Sequence, residues 1–348
     1  MEGSRAEYVS KPKQHHTVPA SFLRAFTAED AKDGTLYVWE LQKERSFTTS
    51  PSKAARQRDF YRIDDAADED EALIIEERFL ANLEGEFVSA RRRVIDEPTI
   101  LIRNADIEAI FQFIALQYVR TQRLRSTVEA FDREIRRLML AEYTATKDRF
   151  EVLRSHAAKA GLVNMPSLEE FQEFARTGYV SSGMSQNMKL VVMLDAFETA
   201  LILLRHRLWC LVKTVSSPDR FIVSDNPVNF AWRETQMGGL FSPGFGTPNS
   251  QLIFPMAPQL AWVSIHEDEV TNGMASSVID AKWRTVAQHN GVQLRSADRF
   301  VYSSTPEFDW MDDDGTILGS DVLFENRGIL CSRKQAGDPK SSWSWTDD

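Results

Sequence analysis

The chain has 348 residues, 43% of them hydrophobic and 26% charged, a globular composition with enough length to bury a sizeable core. Its formal net charge of −10 argues against a broad electrostatic grip on nucleic acid, which normally needs Lys and Arg clustered on one face. Cys210 and Cys331 form no metal or redox spacing and predict reduced thiols in a soluble, cytoplasmic protein; the longest apolar run, around 200–204, is too short to cross a bilayer.

Residues 1–10 read as a flexible leader. His15 and His16 then precede Pro19, which can occupy the first turn of a short helix carrying Phe22, Leu23 and Phe26. The segments TLYVWEL and RSFTTS alternate as a β-hairpin. An acidic run over 64–71 leads into a helix predicted over 72–95, whose apolar face holds Leu73, Leu80, Val88 and Ile95. Glu77, Glu84 and Arg91 fall on that same face at seven-residue steps. A carboxylate there is costly unless paired, so Glu84 should meet an arginine, a histidine or a metal.

The next stretch, DIEAIFQFIALQYVRTQRLR, predicts a helix over 106–125 with Asp106 as N-cap. Ile110, Phe113, Ile114, Gln117, Thr121 and Leu124 share one face, with Gln117 in its middle and Arg120 at its edge. A buried amide without a partner costs about 1–3 kcal/mol, so polar groups from elsewhere in the chain should meet Gln117. A long helical region continues to Gly161, a short helix follows within 166–178, and another spans 185–207. In that last helix Met188, Val191, Val192 and Ile202 share a face with Asp195 and His206. Three helices with polar groups on their apolar sides point to a common polar cavity.

From Leu208 the pattern turns to strands. Segments 208–215 and 220–232 read as a pair, 239–250 as a mobile loop, and 251–258 with 259–267 as further strands in which Pro255 and Pro258 mark an edge or bend. A helix over 268–290 stopped by Gly291 and a strand at RFVYSS follow. The expected fold is α+β, a helical body packed against a mainly antiparallel sheet, with 11–305 as one domain and 306–348 as a partly disordered C-terminal extension.

Several of these segments resemble one family. His15-His16-Thr17-Val18-Pro19 with Phe22-Leu23-Arg24-Ala25-Phe26 is similar to the opening signature of the domain-of-unknown-function family 4238. The resemblance continues through Arg58-Asp59-Phe60-Tyr61, the helix with Glu77 and Glu84, Gln117-Tyr118-Val119-Arg120-Thr121 with Arg125, Ser224-Asp225-Asn226-Pro227-Val228 and Phe254-Pro255-Met256-Ala257-Pro258. Ala20 replaces the more usual polar residue after the proline. The order of these segments is more specific than any one of them, and the family's name implies no activity.

The residue types fit phosphodiester hydrolysis, by a nuclease or nucleotide hydrolase of the kind used as bacterial defence or toxin effectors. His16 would be general acid or base, Glu84 or Asp225 would orient it or a metal, Arg120 and Arg58 would stabilise phosphate charge, and Gln117 would position substrate. His15, Asp59, Glu77 and Asn226 complete the expected binding set. A divalent metal would need Glu77, Glu84, Asp59 or Asp225 to join His16, although no HExxH or Cys-rich zinc spacing exists. P-loop, Rossmann and nucleophile-elbow patterns are absent. Two other readings stay open: a non-catalytic module that recognises a nucleotide or another anion, and a structural cluster in which Glu84 pairs with Arg120 and Asp225 with His16.

Overall fold

The computed structural model describes residues 14–28, 33–58, 79–99, 101–161, 165–177, 183–214, 218–233, 243–266 and 277–325. Period-2 alternation produces the predicted hairpin: β2 (Leu36–Glu40) pairs antiparallel with β3 (Arg45–Thr49), and Glu44 takes a left-handed conformation (φ 48°) to close the turn. Strand β11 (Phe300–Ser303) adds to β2 and then carries the short β6 (Val223–Ser224), completing an antiparallel sheet ordered β3-β2-β11-β6.

A second sheet is ordered β10-β5-β9-β8-β7, from β5 (Arg207–Lys213), β7 (Asn229–Trp232), β8 (Ser250–Ala257), β9 (Leu260–His266) and β10 (Ser277–Asp280). Only its β10–β5 pair is parallel. Segments 208–215 and 220–232, expected to pair with each other, do not: β5 lies between β9 and β10. Strand β8, apolar from Leu252 to Ala257, prefers the interior of the sheet, and a register shift between Pro255 and Ala257 lets it sit there despite its proline. Arg207, buried at the start of β5, donates to the carbonyls of Phe245 (2.9 Å) and Ser250 (2.7 Å), so the part of the expected mobile loop from 243 onward is tied down. On the same face of the β5–β9 pair as Arg207, the indoles of Trp209 and Trp262 stack with centroids 4.5 Å apart.

Helix α2 (Ala81–Asp96) covers the later part of the predicted 72–95 helix and ends one residue beyond it, and α3 (Asn104–Val119) replaces the first part of the predicted 106–125 helix. The cap of α3 is Arg103, not Asp106, which sits in the first turn where a carboxylate favours the helix dipole. The chain breaks at Arg120–Thr121 before α4 (Gln122–Thr144) begins. On α2 the buried face is Leu83, Phe87, Ala90, Arg91 and Val94, rotated from the expected Val88–Ile95 line. Helix α3 is buried nearly all round, from Ala109 to Val119. Phe87 stacks on Phe113 with centroids 3.7 Å apart, and Phe22, from α1 (Ala20–Leu23), stacks on Phe254 of β8 at 5.4 Å. These rings join α1, both longer helices and the five-stranded sheet, each pair adding about 0.5–1.5 kcal/mol beyond its area burial.

Helix α8 (Trp283–Ser296) starts later than expected and runs straight through Gly291, which is no cap. A Cβ at Gly291 would lie 2.1 Å from the carbonyl oxygen of Met311, so glycine is required for the close approach of β12 (Asp309–Met311). Two amide side chains of α8 seal the β6 edge. Asn290 accepts from the Ile222 N–H (3.0 Å), and Gln293 accepts from the Ser224 N–H (3.0 Å). Strand β12 pairs with β13 (Ile317–Gly319), and Trp310 packs with Trp39, Leu294 and Phe308. Residues 306–325, expected to open an extension, are thus part of a core.

The chain forms two compact units, one up to Arg123 and from Leu190 onward, the other Leu124–Lys189. The second holds α4 beyond its first residues, α5 (Lys147–Lys159) capped by the Thr146 hydroxyl, and α6 (Leu168–Thr177). Helix α7 (Gln186–Arg205) buries Leu190, Met193, Phe197, Ala200 and Leu204. This overturns the expected face: Met188, Val191, Ile202, Asp195 and His206 are exposed, so α7 contributes neither Asp195 nor His206 to a polar cavity. The buried line is the more strongly apolar of two competing stripes, and burial followed it.

Candidate functional site

The site is built around Arg120, the residue that ends α3. With its backbone N–H closing the last helical bond to Leu116, its side chain is buried and points back into the fold. One guanidinium arm donates to the Glu84 carboxylate at 2.7 Å, and the other donates to the backbone carbonyl of His16. The second Glu84 oxygen accepts from the Ser21 hydroxyl at 3.3 Å. Arg91, one turn or two along α2 from Glu84, donates to the carbonyls of Phe22 (2.9 Å) and Ser21 (3.2 Å). Two buried arginines from two helices therefore grip the backbone between His16 and Phe22. Of the partners expected for Glu84, an arginine, a histidine or a metal, the structure supplies Arg120; Arg91 carried a signal as a charge on the apolar face, whereas Ser21 and the backbone carbonyls of Ser21 and Phe22 carried none.

His16 ends β1 (Gln14–His16), which pairs antiparallel with β4 (Arg56–Arg58). The register sets His16 opposite Arg56, His15 opposite Gln57 and Gln14 opposite Arg58. The tandem histidines thus lie on a strand whose partner is RQR, and Arg58 is in that ribbon as a backbone neighbour of Gln14. Asp59 and Glu77 lie outside the described residues.

Gln117 precedes Arg120 by one turn and so shares its side of α3. Its side chain is wholly buried, and among the described residues neither its amide nitrogen nor its carbonyl oxygen has a hydrogen-bond partner. Beside it, the rings of Tyr118, Phe230 and Phe245 meet edge to face at 4.8–5.8 Å, and burial pushes the Tyr118 hydroxyl pKa up.

Asp225 and Asn226 are engaged elsewhere. The Asp225 carboxylate accepts from the backbone N–H groups of Asp298 (2.9 Å), Arg299 (2.8 Å) and Phe300 (2.9 Å), rather than from His16. Burial, helped by the charge of Asp298, outweighs these bonds and lifts its pKa to about 6. Asn226 donates to the carbonyl of Ser296 at 2.7 Å, and the same carbonyl receives Arg123 at 3.4 Å. The first turn of α4 and the SDNP segment therefore meet at one oxygen. The structural pairing foreseen between Asp225 and His16 is replaced by this bracket of backbone amides. These amides are distant in sequence but lie beside Asp225 because β6 pairs with β11, so the carboxylate meets the start of β11 rather than the histidine strand.

Other buried polar groups lie apart from this cluster. Burial works against the Glu40 charge, but hydrogen bonds from Arg299, Arg45 and Lys43 prevail and hold its carboxyl down at about 2. Bonds from Arg93 and Arg103 likewise hold Asp106 at about 2. His289, stacked on Phe221, is kept neutral by burial with its pKa lowered to about 4. Burial raises the Cys210 thiol to about 11, leaving it unreactive near neutral pH. Among the described residues no three His, Cys, Asp or Glu side chains are grouped to hold a metal.

A family model described as a protein of unknown function, DUF4238, matches residues 14–307, from the strand of His16 to the segment beyond β11. The chain belongs to the DUF4238 family. The match takes in the Arg120–Glu84 pair, the β1–β4 ribbon and the SDNP bracket that define this member's site. No curated protein and no solved structure matches the chain. No helix among the described residues is long and apolar enough to cross a membrane.

Proposed function

We propose that this DUF4238 protein hydrolyses a phosphodiester bond in a nucleic acid or nucleotide. The observation that carries the proposal is the register of the β1–β4 ribbon, which sets the histidine strand against Arg56 and Arg58. A group able to give and take a proton near positive charge is the minimum a phosphoryl site needs, and the register puts two arginine positions on the strand that pairs with the histidines. In this reading His16 exchanges the proton, and the Arg120 bond to its carbonyl holds the strand that carries it. Glu84 neutralises Arg120 and fixes its direction, and the Gln117 amide, which offers both a donor and an acceptor, meets a substrate group. A soluble, cytoplasmic setting and a divalent metal as cofactor belong to the same proposal.

One observation favours a non-catalytic module that binds a nucleotide or another anion. Both Glu84 oxygens already accept hydrogen bonds, from Arg120 and Ser21, which suits a positioning group better than a base. Turnover separates the two. The purified chain, incubated with labelled RNA, single- and double-stranded DNA and nucleotides, with and without Mg²⁺, Mn²⁺ or Zn²⁺, should cleave at least one substrate. His16→Ala with an unchanged melting temperature should not. Ligand-dependent rise of the melting temperature without cleavage in any condition would replace the hydrolase with the binding module.

A further inference from the structure

Helix α4 is 23 residues long, yet Thr144 at its end is its sole buried residue. Its exposed residues are not those of a solvated helix. Phe131 is 68% exposed, Ile135 41%, Leu138 55% and Met139 52%, and the spacing i, i+4, i+7, i+8 puts all four on one stripe. The unit Leu124–Lys189 carries seven of the thirteen large apolar side chains exposed among the described residues. An apolar stripe of this kind marks an interaction surface.

We propose that the stripe is covered by the α4 stripe of a second copy of this chain, packed antiparallel about Ile135. Charge selects this occupant. The chain as a whole carries −10, so two copies repel over most of their surfaces, but from Leu124 to Thr144 four arginines (125, 133, 136 and 137) balance four acids (129, 132, 134 and 142). The charges beside the stripe are also neutralised within the helix: Arg136 pairs with Asp132 at 3.0 Å and Arg137 with Glu134 at 2.7 Å. The stripe is therefore a neutral face on an acidic protein, bordered by both signs as a surface that meets itself must be. Antiparallel pairing about Ile135 sets Phe131 of one copy against Met139 of the other, a ring against a thioether, on both sides of the axis. A single helix pair covers less than the roughly 800 Å² per partner of a standard interface, so the dimer is concentration-dependent.

Sedimentation of the full chain over a hundredfold range of concentration tests this. The expected result is a reversible monomer–dimer equilibrium, with Ile135→Asp and Leu138→Asp shifting the dissociation constant upward at least tenfold while leaving the melting temperature of the monomer unchanged. In a background with Cys210→Ala and Cys331→Ala, Ile135→Cys should form an intermolecular disulfide under mild oxidation, whereas Val152→Cys should not. A chain that stays monomeric at every concentration overturns the proposal, as does a dimer indifferent to Ile135→Asp or one that Val152→Cys cross-links equally well.

Discussion

Arg120 and Glu84 form an ion pair across two helices at 2.7 Å, with the arginine almost wholly buried and the carboxylate retaining some contact with solvent. Removing one partner of such a pair leaves an uncompensated charge inside the fold. Arg120→Leu is expected to cost about 3 kcal/mol in urea unfolding, the low end for a buried pair because Glu84 keeps some water. Glu84→Leu combined with Arg120→Leu should recover part of that loss, and a double variant no better than Arg120→Leu would show that the His16 carbonyl contact dominates.

Gln117 makes the opposite prediction. Its amide is buried with no partner among the described residues, so Gln117→Leu removes an unsatisfied group and should stabilise the fold by about 1–3 kcal/mol. If the same variant loses cleavage or ligand binding, the amide is kept at a cost in stability for its function. Loss of stability instead would mean that a partner forms in solution.

Two buried groups pull stability in opposite directions with pH. His289, lowered from 6.5 to about 4, contributes stability fully present above pH 6.5 and lost as pH falls through 4. Asp225, raised from 3.8 to about 6, contributes stability fully present below pH 3.8 and lost as pH rises through 6. Each amounts to about 3 kcal/mol, so the slopes nearly cancel between roughly pH 4 and 6. Unfolding free energy should be flat across that window in the wild type. It should fall with rising pH in His289→Phe and rise with it in Asp225→Asn. Below the window Glu40 and Asp106, held at about 2, lose their contributions as pH drops through that value.

Gly291→Ala should destabilise the protein despite improving local helix propensity. The added carbon would lie 2.1 Å from the Met311 carbonyl oxygen, a backbone atom that cannot swing aside, and the displacement should cost about 1–3 kcal/mol net. A melting temperature equal to or above the wild type would show that β12 can retreat from α8.

The sequence made some of this readable and hid the rest for physical reasons. The β2–β3 hairpin and β8–β9 pair were legible because alternation and turn residues act locally. Glu84 with Arg120 was legible because a carboxylate on an apolar face demands a partner, and α3 carried an arginine at the edge of its own apolar arc. The α7 face was misread because Met188, Val191 and Ile202 form one apolar stripe while Leu190, Met193 and Phe197 form another, and only packing selects between them. Gly291 looked like a helix stop because a glycine required by a neighbouring strand has the same letter as a cap. Glu40 went unnoticed because its cations, Lys43, Arg45 and Arg299, include one more than two hundred positions away.

The stacked indoles of Trp209 and Trp262 also make the five-stranded sheet observable by light. Two indoles at 4.5 Å couple their electronic transitions, and the resulting circular-dichroism couplet exists only while β5 and β9 stay paired. The helices give a separate signal, so one spectrum recorded during unfolding distinguishes loss of that strand pair from loss of the helices, with no label attached.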